Sequence, residues 1–366
     1  MNDLKVSVSQ PEFRGVFNSE AFQSHEQVVF CSDPETGLKA IIGIHSTALG
    51  PALGGTRMWS YQNETEAIRD VLRLSRGMTF KASISGLKLG GGKAVIIGDS
   101  RKDKTDALMA KFGEYVNSLG GRYITAEDVG MSTHDMKVVK SQTDYVTGIP
   151  EEMGGSGNPS PVTAYGVYMG MKAAARYRFG SDDLKDKKVM VQGIGHVGRT
   201  LVNYLCKEGA EVWINDLHEE SLQRVAEAFD VRIYRGNELY RQDVDIYAPC
   251  ALGATLNEAN IKQLKCSIVA GAANNQLADE NADAERLMAR NIIYAPDFLI
   301  NAGGLINVYS EIADYSREDV MRKTENIYDT TLEILKTSEV EKITPHQAAL
   351  SIAEARVEEA RRLKNS

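Results

Sequence analysis

The chain has 366 residues, of which 43% are hydrophobic and 25% charged, with a formal net charge of −8. Such a length calls for two domains with separate cores, and such a composition belongs to a soluble globular protein. The acidic balance argues against nucleic acid as a partner, and no apolar run reaches the ~18 residues of a membrane span.

The N-terminus, Met1-Asn-Asp-Leu-Lys-Val-Ser, lacks a signal-peptide core, which predicts a cytoplasmic protein. Cys31, Cys206, Cys250 and Cys266 are widely spaced and read as reduced thiols, neither a disulfide framework nor a zinc site, so no metal is expected.

Gln27-Val-Val-Phe-Cys and Lys39-Ala-Ile-Ile-Gly-Ile-His read as a hairpin around an Asp33-Pro-Glu-Thr-Gly turn. The glycine-rich segment Leu49 to Trp59 reads either as a loop against a ligand or as a buried turn. A helix is predicted over 64–77, capped by Asn63 with Glu66 and buried through Ile68, Val71, Leu72 and Leu74. Met78 to Val95 then places Lys81 and Lys93 in one stretch, the second directly after three glycines. A phosphate loop is rejected, because Leu87 and Ala94 stand where Gly and Ser or Thr are required and a strand follows. Three glycines in a row suggest an unusual backbone or close approach of a ligand, and the apolar run from Ala94 reads as a buried strand. A lysine at that entry can lose its proton near neutrality, and a neighbouring cation such as Lys81 would favour the loss. Lys93 is then a general base in outline; the other reading is a surface turn with solvated lysines.

A second helix is predicted over 105–119, stopped by Gly120-Gly121. A short strand, Tyr123-Ile-Thr, runs into Ala126-Glu-Asp-Val-Gly, where Asp128 is either a capping or solvated carboxylate or the lysines' partner. The alternation suggests an α/β first domain over 1–150. Gly154-Gly-Ser-Gly-Asn-Pro-Ser-Pro marks the boundary, and Ser160-Pro161 opens a helix of the second domain, 151–330.

There the strand Lys188-Val-Met-Val-Gln meets Gly193-Ile-Gly-His-Val-Gly, a helix through Leu201, Val202 and Leu205, and a strand ending at Asp216. In that context the glycine pattern is a dinucleotide fingerprint. Gly193 permits the turn, Gly195 admits the pyrophosphate and Gly198 allows close packing, while Ile194, His196, Val197 and Arg199 complete the loop and helix start that offer amides to phosphate. Asp216 can accept from a ribose diol and would repel a 2′-phosphate, which favours NAD. Strands at Val244-Asp-Ile-Tyr-Ala-Pro, Ser267-Ile-Val-Ala-Gly and Asn291-Ile-Ile-Tyr-Ala-Pro extend a doubly wound sheet. Their following loops, with Cys250, Ala251, Asn274, Asn275 and Asn301, should line a nicotinamide pocket, although the amides could equally be turn residues. Helices are predicted over 317–336 and 345–364; whether 331–366 pack back on the first domain is left open by the pattern.

Gly50-Pro-Ala-Leu-Gly-Gly-Thr-Arg, Gly77-Met-Thr-Phe-Lys, Gly90-Gly-Gly-Lys, Ala126-Glu-Asp-Val-Gly, Gly157-Asn-Pro-Ser-Pro-Val-Thr, Gly271-Ala-Ala-Asn-Asn-Gln and Asn301-Ala-Gly-Gly occur in that order. With them the chain resembles the glutamate/leucine/phenylalanine/valine dehydrogenase superfamily from about Gln27 to the C-terminal helices, and most of all its branched-chain group. The resemblance implies an N-terminal substrate-binding and oligomerisation domain, a Rossmann-type NAD domain and an active-site cleft between them. It implies that Lys81 holds the substrate carboxylate, Lys93 is the general base, Asp128 relays protons, and Thr163 and Asn275 orient the nicotinamide amide.

Where glutamate-specific members carry a lysine before the Gly54-Gly55 pair, this chain has Leu53. With Ala126, Leu305 and Val308 at the matching side-chain positions, the implied pocket is apolar. The implied reaction is reversible NAD-dependent oxidative deamination of branched-chain L-amino acids to 2-oxo acids and ammonia, in a homo-oligomer, commonly an octamer. A phenylalanine- or valine-preferring enzyme is the alternative; a non-catalytic NAD-binding sensor is a remote one, against which intact Lys81, Lys93 and Asp128 argue. Branched-chain members often have Asn in place of His196 and Ala in place of Gly198, so an imidazole beside the pyrophosphate would bear on cofactor affinity.

Overall fold

The computed structural model describes residues 15–236 and 238–365. The segment Met1–Ser7, on which the expected location rests, lies outside the described residues. The chain divides into two compact units, the first built from residues up to Thr47, Pro51–Thr79 and Gly90–Val146, the second from Ala48–Gly50, Phe80–Leu89 and Thr147 onward.

The first unit carries β1 (Gln27–Asp33), β2 (Leu38–Ser46), β3 (Ala52–Trp59), most of α1 (Glu64–Ile84), β4 (Gly90–Ile97), α2 (Asp106–Ser118), β5 (Tyr123–Glu127) and α3 (Thr133–Lys140). Its sheet runs β1-β2-β4-β3-β5, antiparallel as far as β4 and parallel from β4 through β3 to β5. The hairpin turn is held by Asp33, whose carboxylate accepts from the Thr36 N–H at 2.9 Å. Asn63 caps α1 as expected, accepting from the Glu66 N–H at 2.9 Å. Ala67, Ile68, Val71 and Leu72 of α1 pack on Ile41 and Val95, recurring at the three- and four-residue spacing of one helix face.

Three expectations change here. The 49–59 segment is neither loop nor turn over most of its length: Ala52–Trp59 is a strand between two neighbours. The three glycines before Lys93 lie in β4 itself and not in a loop. The helix predicted to end at residue 77 runs to Ile84, so Lys81 sits in its last turn. In the first two cases glycine suggested an interruption where strand pairing keeps the regular backbone.

The second unit carries α4 (Ser160–Phe179), β6 (Lys188–Gln192), α5 (His196–Glu208), β7 (Glu211–Asn215), α6 (Glu219–Ala228), β8 (Val231–Ile233), β9 (Ile246–Pro249), α7 (Glu258–Ile261), β10 (Ile268–Val269), α8 (Ala282–Ala289), β11 (Ile293–Tyr294), α9 (Asp297–Ile300), α10 (Gly303–Ala313), α11 (Arg317–Glu325), α12 (Ile327–Glu341) and α13 (Pro345–Asn365). All pairings in its sheet are parallel, in the order β11-β10-β9-β6-β7-β8. The order reverses between β6 and β9, the topological switch point at which doubly wound sheets bind ligands. Ser160 is the first residue of α4 with Pro161 in its first turn, and the N-cap, Pro159, makes no side-chain capping bond. The helix predicted over 317–336 is two helices meeting at Asn326. On α13 the Ala353 carbonyl accepts from the Ser83 hydroxyl at 2.8 Å, and Arg356 donates to the Ser83 and Ile84 carbonyls. The C-terminal helix therefore packs on the Phe80–Leu89 segment.

Among the described residues no helix is long and apolar enough to cross a membrane. All four cysteines are free thiols; Cys31 and Cys266 are buried, and Cys206 and Cys250 are half-buried.

Candidate active site

The site residues fall in two groups, one in each unit. In the first, Gly43 of β2 pairs with Lys93 of β4, and Gly55 of β3 pairs with Ala126 of β5. Counting from the Leu53–Gly91 pair, Gly55 also stands next to Lys93. Gly43, Lys93, Gly55 and Ala126 thus form one row across four strands, with their side-chain positions on one face of the sheet. Glycine on both sides of Lys93 lets other groups close in on that row: a Cβ on Gly43 would stand 3.1 Å from the Ser75 Oγ. Asp128 follows two residues after Ala126, and a Cβ on Gly55 would stand 2.8 Å from the Asp128 Cβ. Only glycine at position 55 lets that carboxylate lie beside Lys93.

Lys93 Nζ approaches Asp128 Oδ2 at 2.6 Å. The same oxygen accepts from Arg57 Nε at 3.3 Å; Arg57 Nη1 in turn donates to Asp70 Oδ2 at 3.0 Å, and the Tyr61 hydroxyl donates to that oxygen at 2.7 Å. Burial pushes the Lys93 ammonium below the ordinary lysine range; Asp128 opposes the shift and Arg57 adds to it. Burial works against ionisation of Asp128, but Lys93 and Arg57 together hold its carboxyl below the usual range. The result is a lysine whose hold on its proton is weakened, beside a carboxylate whose charged form is favoured. A cation that favours this loss is Arg57, a residue with no assigned role in the sequence reading. Tyr123 supports the frame, its hydroxyl donating to the Gly54 carbonyl at 2.7 Å. Leu53 is buried on β3.

In the second unit, Lys81 Nζ donates to Asn301 Oδ1 at 2.6 Å. Asn301 Nδ2 donates to Asn274 Oδ1 at 2.8 Å and to the Ala272 carbonyl at 3.2 Å. Asn301 therefore joins the helix-borne lysine to the amide loop after β10. One turn earlier, buried Asp297 accepts from the Gln276 N–H at 3.2 Å and anchors the end of that loop. Asn275 is exposed with a φ of 51°, a turn conformation asparagine tolerates. Leu305 is buried and Val308 half-buried, one turn apart on α10. Thr163 lies in the first turn of α4, where its hydroxyl donates to the Pro159 carbonyl at 3.0 Å.

At the switch point Gly193 has a φ of 92°, and a Cβ there would meet Ala251 at 2.6 Å. A Cβ on Gly198 would meet the Gly193 carbonyl at 2.0 Å, whereas one on Gly195 would stand in open space. Two glycines are thus filled by the chain and the third leaves room for a ligand, as a nicotinamide dinucleotide requires at this loop. Gly195 caps α5, whose first turn, with exposed His196 and half-buried Val197, presents amides to an anion. Arg199 is exposed in the same turn. Asp216 accepts from the Ile194 N–H at 2.8 Å and the His218 N–H at 2.9 Å, so it holds the glycine loop itself. Cys250 stands beside the loop, its thiol accepting from the Ala272 N–H at 3.4 Å. Among the described residues no group of three or more His, Cys, Asp or Glu side chains is arranged to hold a metal ion.

A family model described as "Glu/Leu/Phe/Val dehydrogenase, dimerisation domain" matches residues 25–145, and one described as "Glutamate/Leucine/Phenylalanine/Valine dehydrogenase" matches 154–217 and 213–364. The chain belongs to the Glu/Leu/Phe/Val dehydrogenase family. It is accordingly an amino-acid dehydrogenase that uses a nicotinamide cofactor. Leucine dehydrogenase of Bacillus subtilis (strain 168) is 53% identical over 93% of each chain. Phenylalanine dehydrogenase of Caldalkalibacillus thermarum is 44% identical over 94% of this chain and 95% of its own. The crystal structure of L-tryptophan dehydrogenase from Nostoc punctiforme superposes with a TM-score of 0.85 at 43% identity, covering 93% of this chain and 97% of that one.

Sequence reasoning missed Arg57, Asp70 and Tyr61 as a group. Had 52–59 been read as a strand, period-two alternation would have put Leu53, Gly55 and Arg57 on one face, with a buried-side cation to account for.

Proposed function

We propose that this dehydrogenase deaminates branched-chain L-amino acids with NAD, reversibly, to the 2-oxo acid and ammonia. The observation that carries the reading is the 2.6 Å contact between buried Lys93 and Asp128. Lys81 pairs with the substrate carboxylate. Lys93 Nζ, without its proton, takes one from the substrate ammonium group, and Asp128 relays it to solvent; Lys93 then takes a second from the water that adds at the iminium carbon and gives it to the departing amine, with Asp128 ionised between transfers. A nicotinamide bound there would supply the acceptor for hydride from the substrate Cα. Gly195, His196, Val197 and the neighbouring loop residues would hold its pyrophosphate, Asp216 its ribose, and Thr163 and Asn275 its amide. An aspartate at position 216 favours NAD over NADP, since a 2′-phosphate would meet a carboxylate.

Leu53 and Ala126, with Leu305 and Val308, are assigned to an aliphatic substrate side chain, and the greater identity to a leucine dehydrogenase than to the phenylalanine enzyme supports that choice. An aromatic preference is the second reading, supported by the phenylalanine and tryptophan relatives. The N-terminal match to a dimerisation domain supports a homo-oligomer; the octamer and a cytoplasmic location are our assignments.

The test is NADH formation at alkaline pH with L-Leu, L-Ile, L-Val, L-Phe and L-Glu, using NAD or NADP. Branched aliphatic substrates with NAD should dominate and glutamate should give nothing. Glutamate as the best substrate would overturn the assignment of Leu53, and equal rates with NADP would overturn that of Asp216. For the base, kcat/KM should rise through a pKa below the ordinary lysine value, and an unchanged profile in Lys93→Ala would overturn that role.

A further inference from the structure

The Lys93–Asp128 pair, taken as base and partner in the proposed function, carries an electrostatic difficulty. A carboxylate in contact with a lysine stabilises the ammonium form, so Asp128 alone works against the unprotonated state the base needs. Once Lys93 gives up its proton, a largely buried carboxylate stands beside a neutral amine and tends to take a proton itself. A third charge answers both problems. Arg57 Nε reaches the same Asp128 oxygen that Lys93 uses, and its Nη1 reaches Asp70.

We propose that Arg57 is a positioning residue of the reaction: it keeps Asp128 ionised and aimed at Lys93 Nζ while Lys93 is without its proton. The side chain suits the task. A guanidinium cannot lose its proton in this pH range, so the charge is permanent, and its planar fork binds two carboxylates at once. Asp70 fixes the far end of the fork, and Tyr61 fixes Asp70 through its hydroxyl.

The charged and titratable groups facing the pair are few. Asp128, Arg57 and Asp70 act on Lys93; Lys93 and Arg57 act on Asp128, with the Tyr123 phenol nearby. Lys93 belongs to β4, Arg57 to β3 and Tyr123 to the edge strand β5, Asp128 follows β5, and Asp70 comes from α1. Charges alternate along the chain of contacts, positive on Lys93, negative on Asp128, positive on Arg57 and negative on Asp70. Taking the proton from Lys93 leaves every carboxylate still in contact with a cation.

The experiment is the pH dependence of kcat/KM for L-leucine with NAD, together with thermal unfolding, in wild type, Arg57→Met, Arg57→Lys, Asp70→Asn and Lys93→Ala. Removing the Arg57 charge should move the acidic limb to higher pH by about one unit, the low end of the shifts that close charges produce. Arg57→Lys, which keeps the charge and loses the fork, should return most of that shift while kcat stays reduced. Asp70→Asn leaves Arg57 facing Asp128 alone, so the limb should move the opposite way, to lower pH. This opposite sign keeps the proposal open to refutation even if Arg57→Met fails to fold.

A purely structural arginine would lower kcat or unfolding temperature and leave the limb where it was; that result in Arg57→Met or Asp70→Asn overturns the proposal. Lys93→Ala separates the two levels. If the limb survives in Lys93→Ala, the base assignment falls and takes this inference with it. If it vanishes there but stays fixed in the Arg57 and Asp70 variants, only the role of Arg57 falls.

Discussion

Gly55→Ala tests the row of residues across the first sheet with one added methyl group. The new Cβ would stand 2.8 Å from the Asp128 Cβ and 2.8 Å from the Glu127 carbonyl oxygen. Carbon atoms in contact prefer ~3.5 Å or more, so the end of β5 must retreat by roughly 0.7 Å. Both obstacles belong to that segment, and neither is the tip of a flexible side chain. Such a retreat would stretch the 2.6 Å contact between Lys93 and Asp128 to about 3.3 Å, beyond the range of a short charge-assisted hydrogen bond. A misplacement of ~1 Å costs on the order of 10²-fold in rate, so kcat for L-leucine should fall by about 10- to 100-fold. Overpacking of this kind costs ~1–3 kcal/mol, and the fold should survive it. The assay is steady-state NADH formation with thermal unfolding in parallel, and the KM for NAD should be unchanged because the glycine loop belongs to the other sheet. A Gly55→Ala enzyme with wild-type kcat would refute the idea that glycine here makes space for Asp128.

Leu53→Lys should lower kcat/KM for L-leucine by at least ~10-fold through a buried charge and give measurable turnover of L-glutamate, read from the same substrate panel; no glutamate turnover would count against side-chain recognition at this position. Asp216→Ala removes the acceptor of the Ile194 and His218 amides, each bond to a charged group being worth ~1.5–3 kcal/mol. Its KM for NAD should rise by ~10-fold or more and its preference over NADP should shrink, as steady-state kinetics with both cofactors would record. Asp297 is held above the ordinary carboxylate range by burial. Between the unfolded and folded pKa the native state therefore binds more protons, so this group's contribution to stability is complete at low pH and lost as pH rises through the folded value. In Asp297→Asn, unfolding temperature measured across the acidic range should fall less steeply toward neutral pH than in wild type; an unchanged slope would contradict the raised pKa.

The second unit was legible in detail because its signals are local. A strand, three glycines at fixed offsets, a helix and a terminal acid lie within one short stretch, and each residue acts on its sequence neighbours. β8 was not read: it is a three-residue edge strand, Val231–Ile233, with no fully buried position, too short for its apolar–polar–apolar alternation to stand out. The site in the first unit was legible only in part. Lys93 and Asp128 stood out as a lysine after glycines and an acid after a strand, but Arg57 did not, since its carboxylate partners lie 13 and 71 residues away. No periodicity connects such positions before the strand order is known.

Glycine explains both the success and the failure. In the glycine loop of the second unit the local reading works, because Gly195 faces open space while Gly193 and Gly198 meet the chain within a few ångströms. In the first unit the same residue type suggested a loop or room for a ligand, yet the space is taken by the protein. A Cβ on Gly54 would stand 1.7 Å from the Gly92 carbonyl, and one on Gly91 2.0 Å from the Thr79 amide nitrogen. The glycine-rich stretches allow close approach: β3 closes on β4 where Gly54 meets Gly92, and β4 closes on α1 where Gly91 leaves space for the Thr79 backbone and hydroxyl. That close approach is what seats Lys93 deep in the sheet, where desolvation weakens its hold on a proton. The glycines shape the base by the water they exclude, a tertiary effect that a run of three glycines does not reveal on its own.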